Sequence, residues 1–223
     1  MRYEIKGTPM PVAICYLSAG ESILTENGAM SWMTPNLTMT TTNNGGIGKM
    51  FSRAFQGEAM FQNIYTAQGG DGMIAMASSF PGEIMAVDVA QMPIVAQKHA
   101  FLASEMSVNM EMFFQSKIFS GLAGGEGFIM QKFSGHGIVF LEIDGTIVDY
   151  QLAAGQSMMV DQGMLAAMEA SCSIDVERVK GAKNMFLGGE GFFNTRITGP
   201  GHIWLQTMPS IKMAQALTTY RAK

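Results

Sequence analysis

The sequence predicts an all-β protein in which three internal repeats form a pseudo-threefold β-sandwich or barrel, followed by a short C-terminal helix. Three observations favour this class: two sequence elements recur along the chain, glycine makes up 26 of 223 residues, and apolar residues alternate with polar ones. Glycine at this density is typical of a protein with many turns. We expect one domain over residues 1–223. Its predicted parts are repeats at about 12–80, 81–153 and 154–208 and a helix at 210–220.

The first repeated element is a stretch that returns after 135 residues. Residues 20–28 align without a gap with residues 155–163, and the match continues through Met33 and Met168. A third copy is predicted at residues 81–88, after which an insertion interrupts the alignment. This element therefore predicts three related units.

The second element is a glycine-rich turn with a glutamate inside it. Residues 124–128 and 188–192 share the motif Gly-Gly-Glu-Gly-Phe, and residues 57–60 carry a related Gly-Glu-Ala-Met. The two elements alternate three times, which favours a closed threefold arrangement over an open solenoid.

The local sequence pattern predicts that the repeats consist of strands. Residues 173–179 alternate in polarity, which places Ile174, Val176 and Val179 on one inward face. Residues 138–143 and 146–150 flank Asp144-Gly145, a pair that favours a tight turn, so we expect a hairpin there.

The segment 210–220 is the one helix that the sequence predicts. Ser210 can cap its first turn, and Ile211, Ala214 and Leu217 lie roughly along one apolar stripe.

The composition excludes several classes of protein. The 14 basic residues are scattered and the net charge is about −4, which disfavours binding to nucleic acid. The first seven residues lack the apolar core of a secretion signal, and no apolar run approaches the roughly 20 residues of a membrane-spanning helix. A cytoplasmic location with no integral membrane segment is the expectation.

The sulfur-containing residues are interpreted as core residues. Cys15 and Cys172 are too few for a disulfide framework, and Cys172 aligns with Leu37 of the first repeat. The 22 methionines mostly align with other apolar residues, which favours core packing over a soft-metal site.

The C-terminal part carries a resemblance to a known family. The motif Gly-Gly-Glu-Gly-Phe-Phe at 188–193, with Gly-Pro-Gly-His-Ile-Trp-Leu-Gln-Thr at 199–207, resembles the mitochondrial biogenesis family called altered inheritance of mitochondria, protein twenty-four, in its bacterial, uncharacterised branch. The resemblance implies a three-repeat β fold similar to the tryptophan-attenuation-protein class, often assembled as a homo-oligomer. It implies no catalytic residue for this chain.

Acidic residues recur at positions that the alignment makes equivalent. These are Glu58, Glu126 and Glu190 in one set, and Glu26, Asp88 and Asp161 in the other. Three clustered carboxylates would hold a hard cation or raise one another's proton affinity. The favoured alternative is that each acid accepts backbone hydrogen bonds inside its own turn.

No motif in the sequence identifies a reaction. The Gly-Gly-Glu-Gly loops have a carboxylate where a phosphate cradle needs bare amides, and residues 43–50 lack the spacing of a P-loop. His99, His136 and His202 occupy non-equivalent positions, so we interpret them as turn or edge histidines. We predict no catalytic, cofactor-binding or metal-binding residue and no cofactor.

Three hypotheses for function follow. The leading one is a non-enzymatic scaffold or protein-interaction protein that acts as a homo-oligomer with an unknown protein partner. The second is a small-ligand or carbohydrate binder that stacks Trp32, Trp204 or a tyrosine on its ligand, although Trp204 aligns with Phe140 and favours a core position. The third is an enzyme that uses the recurring acidic residues.

Overall fold

The structure is a computed structural model in which most of the described residues are in β-strands. The described residues are 1–42, 62–116, 128–161, 163–178, 193–210, 212–214 and 217. The strands are β1 (Arg2–Lys6), β2 (Val12–Leu17), β3 (Ser22–Glu26), β4 (Trp32–Met33), β5 (Leu37–Thr42), β6 (Gln62–Ala67), β7 (Gly72–Ala77), β8 (Gly82–Asp88), β9 (Ile94–Gln97), β10 (Phe101–Glu105), β11 (Val108–Ser116), β12 (Phe128–Gly135), β13 (Ile138–Asp144), β14 (Ile147–Leu152), β15 (Ser157–Asp161), β16 (Leu165–Glu169), β17 (Ser173–Arg178), β18 (Phe193–Thr198) and β19 (Gly201–Gln206). A single 3₁₀ turn at Lys98–Ala100 precedes β10. The prediction of an all-β chain is confirmed.

The described strands form four antiparallel sheets. Sheet I has the order β1-β2-β7-β4, sheet II β5-β6-β3-β10-β13-β8, sheet III β11-β12-β9-β16-β19-β14, and sheet IV β15-β18-β17. None of these sheets closes on itself within the described part of the chain.

Sheets II and III have the same strand order. Each strand of sheet III stands six places later in the chain than the strand at the corresponding place of sheet II. Sheet IV, read as β17-β18-β15, continues this order for three further places, and β4-β7-β2 of sheet I correspond to the remaining three. The pairing therefore relates β9, and not the predicted residues 81–88, to β3 and β15.

The alignment of residues 20–28 with 155–163 is accompanied by matching hydrogen bonds. Ser22 Oγ lies 2.7 Å from Thr66 Oγ1 between β3 and β6, and Ser157 Oγ lies 2.8 Å from Thr198 Oγ1 between β15 and β18. The two stretches thus hold their neighbouring strands in the same register.

The core lies between the sheets in three clusters. One cluster joins sheets I and II, one joins II and III, and one joins III and IV. Phe101 stacks on Phe133 at 5.8 Å across sheets II and III, and Tyr3 meets the edge of Phe140 at 5.0 Å across sheets I and II. Among the described residues, no cluster joins sheet I to sheet IV.

The hairpin predicted around Asp144-Gly145 is wrong. Gly145 does turn the chain, with φ of +79°, but β13 pairs with β8 and β10 while β14 pairs with β19 of another sheet. Both edges of β13 are already occupied, so the strand that follows it must find a partner elsewhere.

The half-buried strand predicted at 173–179 is confirmed for its described part. β17 spans Ser173–Arg178, with Ile174 buried and Val176 partly buried, while the flanking Ser173 and Asp175 are exposed. Val179 lies outside the described residues.

The C-terminal helix begins as predicted, but its cap comes from elsewhere. Ser210 is already helical, and its N–H donates to Asp144 Oδ2 at 2.7 Å, while the Pro209 carbonyl accepts from Met213. Of the predicted stripe, Ala214 and Leu217 are exposed, and Ile211 lies outside the described residues. Among the described residues, no helix combines the length and the apolar character needed to cross a membrane.

Candidate functional site

The recurring acidic residues do not form a shared site in the described chain. Asp88 accepts from the Ala90 N–H at 3.0 Å and from Gln91 Nε2 at 2.8 Å, and Asp161 pairs with Lys212. No group of three or more His, Cys, Asp or Glu side chains within the described ranges is placed to hold a metal ion. The other acidic set consists of Glu58, Glu126 and Glu190, and it lies outside the described residues. The glycine loops that contain these residues, and residues 43–50, lie outside them as well.

Glu26 is the acidic residue whose environment is most unusual. It stands at the end of β3, and burial together with the nearby charge of Glu142 raises the pKa of its carboxyl to about 7, partly opposed by Lys98. Glu142 itself accepts hydrogen bonds from the Ser78 hydroxyl at 2.8 Å and the Ser79 N–H at 2.6 Å. A carboxyl that titrates near neutrality is able to exchange a proton at physiological pH.

The three histidines differ in their surroundings. His136 is exposed in the turn between β12 and β13, as predicted, and His99 lies in the 3₁₀ turn. His202 does not fit the prediction, because it lies on β19, which has β14 and β16 on its two sides.

His202 belongs to a small aromatic and polar cluster on sheet III. Its imidazole lies parallel to the Trp204 ring at 4.7 Å, and its Nε2 lies 2.7 Å from Asp149 Oδ2. Trp204 is partly buried against the core, in line with its predicted core position. We call these three residues the His202 cluster. It joins a flat aromatic surface to an exposed carboxylate, which is the combination that small polar ligands such as sugars recognise.

The two cysteines are buried and free. Cys172 packs in the cluster between sheets III and IV, which confirms its interpretation as a small core residue. Burial raises the pKa of the Cys15 thiol to about 12, so this group stays protonated and unreactive in the folded protein.

A shallow cavity of about 630 Å³ opens beside the first residues of β7. Its two acidic side chains are engaged in the protein's own hydrogen bonds. Glu21 accepts from the Ser18 N–H at 2.9 Å, and Asp71 accepts from the Ala19 N–H at 3.1 Å. Both carboxylates of the cavity are therefore already hydrogen-bonded within the protein.

The large exposed apolar side chains have a clear distribution over the fold. Seven of the twelve in the described chain lie on strands that end a sheet, and the other five lie on connections or the C-terminal helix. None lies on a strand with a neighbour on each side. We call these seven the edge residues: Ile5, Trp32, Met39, Phe113, Val148, Tyr150 and Met159.

Sequence reasoning named Trp32, Trp204 and His202 one by one, but it did not predict the set of edge residues or the contacts of the His202 cluster. The local sequence does not separate an exposed apolar residue on a strand from a buried one, because exposure depends on which distant parts of the chain pack around it. Asp149 and His202 are 53 residues apart, so no local motif joins them.

Comparison with known proteins gives a family and a shared fold. A family model described as Mitochondrial biogenesis AIM24 matches residues 3–208. An uncharacterised protein of Streptococcus pyogenes serotype M6 is 28% identical over 229 residues, which cover 99% of this chain and 91% of that protein. A crystal structure of a Streptococcus pyogenes protein matches with a TM-score of 0.80 and 26% identity over 98% of this chain and 99% of that one. The resemblance predicted from residues 188–193 and 199–207 is confirmed.

Proposed function

The chain belongs to the mitochondrial biogenesis AIM24 family. We propose that it is a non-enzymatic scaffold that acts as a homo-oligomer. In this proposal the molecule presents rigid sheet edges to other copies of itself and to a protein partner. Its three units repeat one arrangement of strands, similar to the tryptophan-attenuation-protein class.

The placement of the edge residues is the observation that carries this proposal. A sheet edge exposes unpaired backbone N–H and C=O groups, and an apolar side chain beside them adds a hydrophobic contribution to pairing with another strand. Edges that a protein keeps free of partners usually carry charges or proline instead. Apolar edge residues therefore favour association.

The common strand order of sheets II and III supports the repeated-unit part of the proposal. A repeated unit brings the same edges to several places around the molecule. The matching Ser22–Thr66 and Ser157–Thr198 hydrogen bonds extend this correspondence to sheet IV.

The test of this proposal is the mass of the purified protein in solution. We expect sedimentation equilibrium and native mass spectrometry to give a multiple of 24.1 kDa at micromolar concentration. A single species of 24.1 kDa up to about millimolar concentration would contradict self-association.

The His202 cluster favours a second candidate function, the binding of a small polar ligand such as a sugar. A sugar ring stacks on the exposed part of Trp204, and its hydroxyl groups donate to the Asp149 carboxylate. We expect a neutral oligosaccharide to shift the NMR signals of His202 and Trp204, and Trp204→Phe, which keeps a ring in the core, to weaken this binding. If a broad panel of sugars leaves these signals unmoved, this candidate fails while the scaffold proposal is unaffected.

A further inference from the structure

Two ladders connect strands of successive repeats inside sheets II and III, and we call them seams. The first seam joins β3 to β10, and the second joins β9 to β16. They have the same register at their matching positions. The opposed pairs are Thr25 with Ala103 and Leu24 with Ser104 in the first seam, and Ala96 with Ala167 and Val95 with Met168 in the second.

β15 and β4 are the strands that correspond to the two sides of a third seam. β15 pairs with β18 as β3 pairs with β6, and β4 pairs with β7 as β10 pairs with β13. Trp32 lies opposite Ala75 of β7, just as Ala103 lies opposite Phe140 of β13. Trp32 therefore corresponds to Ala103. In this correspondence, Met159 takes the place of Leu24 and Met33 takes the place of Ser104.

Among the described residues, no third ladder forms. β4 ends sheet I and β15 ends sheet IV, so within this part of the chain each has one edge without a partner strand. Trp32 is 47% exposed and Met159 is 45% exposed, whereas Ala103 and Leu24 at the equivalent places of the first seam are 0% and 4% exposed. Trp32 and Met159 are thus exposed at positions whose equivalents in the first seam are buried.

We propose that the third seam forms between two copies of the chain, with β4 of each copy paired antiparallel to β15 of the other. This inference rests on the proposed self-association and names the surface that produces it. The two formed seams indicate which strand pairs with each free edge: β4 is expected to pair with a β15 strand, and β15 with a β4 strand. A second copy carries both complementary edges, so a twofold dimer satisfies them together.

The formed seams also specify the register of the new one. Met33 of one copy lies opposite Met159 of the other, and Trp32 lies opposite Val160. Opposed residues on an antiparallel pair have Cβ atoms about 5 Å apart, which is close to the distance that a disulfide requires.

The first experiment uses cysteines on separate chains. Met33→Cys and Met159→Cys are purified individually, mixed and oxidised, and disulfide-linked chains are counted by mass spectrometry after denaturation. We expect a heterodimer linked through positions 33 and 159. Cys15 and Cys172 are buried and so contribute little background.

Met39→Cys serves as the matched control in place of Met159→Cys. Met39 is an exposed methionine on β5, which ends a sheet but belongs to neither side of the third seam. The mixture of Met33→Cys with Met39→Cys is expected to give at least about tenfold less heterodimer than the seam pair. Equal yields would overturn the proposal, because the crosslink would then report only random collision.

A chain that carries both Met33→Cys and Met159→Cys distinguishes the source of the partner strand. The proposal requires linked dimers. A disulfide within one chain and no linked dimer would overturn it, because the molecule would then close its own seam.

The second experiment measures dimer affinity by sedimentation. Met159→Glu is expected to raise the Kd at least about tenfold, because it places a charge in an apolar seam, whereas Met39→Glu leaves the Kd unchanged. If the wild type associates and Met159→Glu associates equally well, the seam is wrong and the scaffold proposal stands. If the wild type does not associate, both are wrong.

Discussion

The raised pKa of the Glu26 carboxyl predicts how the free energy of unfolding changes with pH. Its pKa is raised from an ordinary value of 4.5 to about 7 by burial and by Glu142. Between these two pH values the folded state holds a proton that the unfolded state has released. The free energy of unfolding therefore falls as the pH rises from 4.5 to 7, and the loss is complete above pH 7.

The size of this loss follows from the two pKa values. Each factor of ten in proton affinity corresponds to 1.36 kcal/mol, so the ionised Glu26 costs the folded state roughly 3 kcal/mol above pH 7. Glu26→Gln keeps the shape of the side chain and removes the charge. We expect this variant to be more stable than the wild type by about 2–3 kcal/mol at pH 8 and nearly equal to it below pH 4.5.

The assay is urea denaturation of both proteins at several pH values from 4 to 8. The contributions of titrating groups that do not interact with Glu26 cancel in the difference between variant and wild type. Glu111→Gln is the control, because Glu111 is an exposed acid paired with Lys132 at 3.2 Å, and its loss is expected to change stability by less than about 1 kcal/mol. A difference for Glu26→Gln that does not vary with pH would refute the reasoning, as would a loss of stability at pH 8.

Three further predictions concern the core, the helix cap and the repeats. Phe140→Ala removes a fully buried ring and is expected to lower the free energy of unfolding by about 3–5 kcal/mol, against about 1 kcal/mol or less for the exposed Phe113→Ala, in chemical denaturation. Asp144→Ala removes the acceptor of the Ser210 N–H and is expected to cost about 1 kcal/mol, most of which Asp144→Asn restores; equal losses in both variants would contradict the capping role. Ser22→Ala and Ser157→Ala remove equivalent hydroxyl pairs, so each is expected to cost about 1 kcal/mol by the same assay, and a large inequality would argue against equivalence.

The parts of the fold that could be predicted from the sequence are those set by neighbouring residues. Gly20 and Gly155 have φ of +82° and +76°, values that glycine adopts without strain. The two aligned glycines therefore indicated that the same turn occurs twice. Alternation of polarity likewise predicted β17, because one side chain in two faces the core.

The parts that could not be predicted depend on which strands meet. The residues around Asp144-Gly145 favour a turn, but the partner of β14 is β19, far along the chain. The raised pKa of Glu26 has the same origin, because its second cause is Glu142 on another strand. No window of sequence contains either pair.

The two tryptophans show how partner choice determines what a residue does. Trp204 and Trp32 are the same side chain on antiparallel strands, yet Trp204 packs against the core and Trp32 is exposed. Trp204 lies on β19, which has a strand on each side, whereas β4 has one only on the side of β7. In the two formed seams the residue at the place of Trp32 is alanine, and its cross-strand neighbour is the large Phe140 or Trp204. At β4 the sizes are reversed, with Trp32 opposite Ala75. The large ring thus stands on the strand with the free edge, where a partner strand gains the most apolar contact from it.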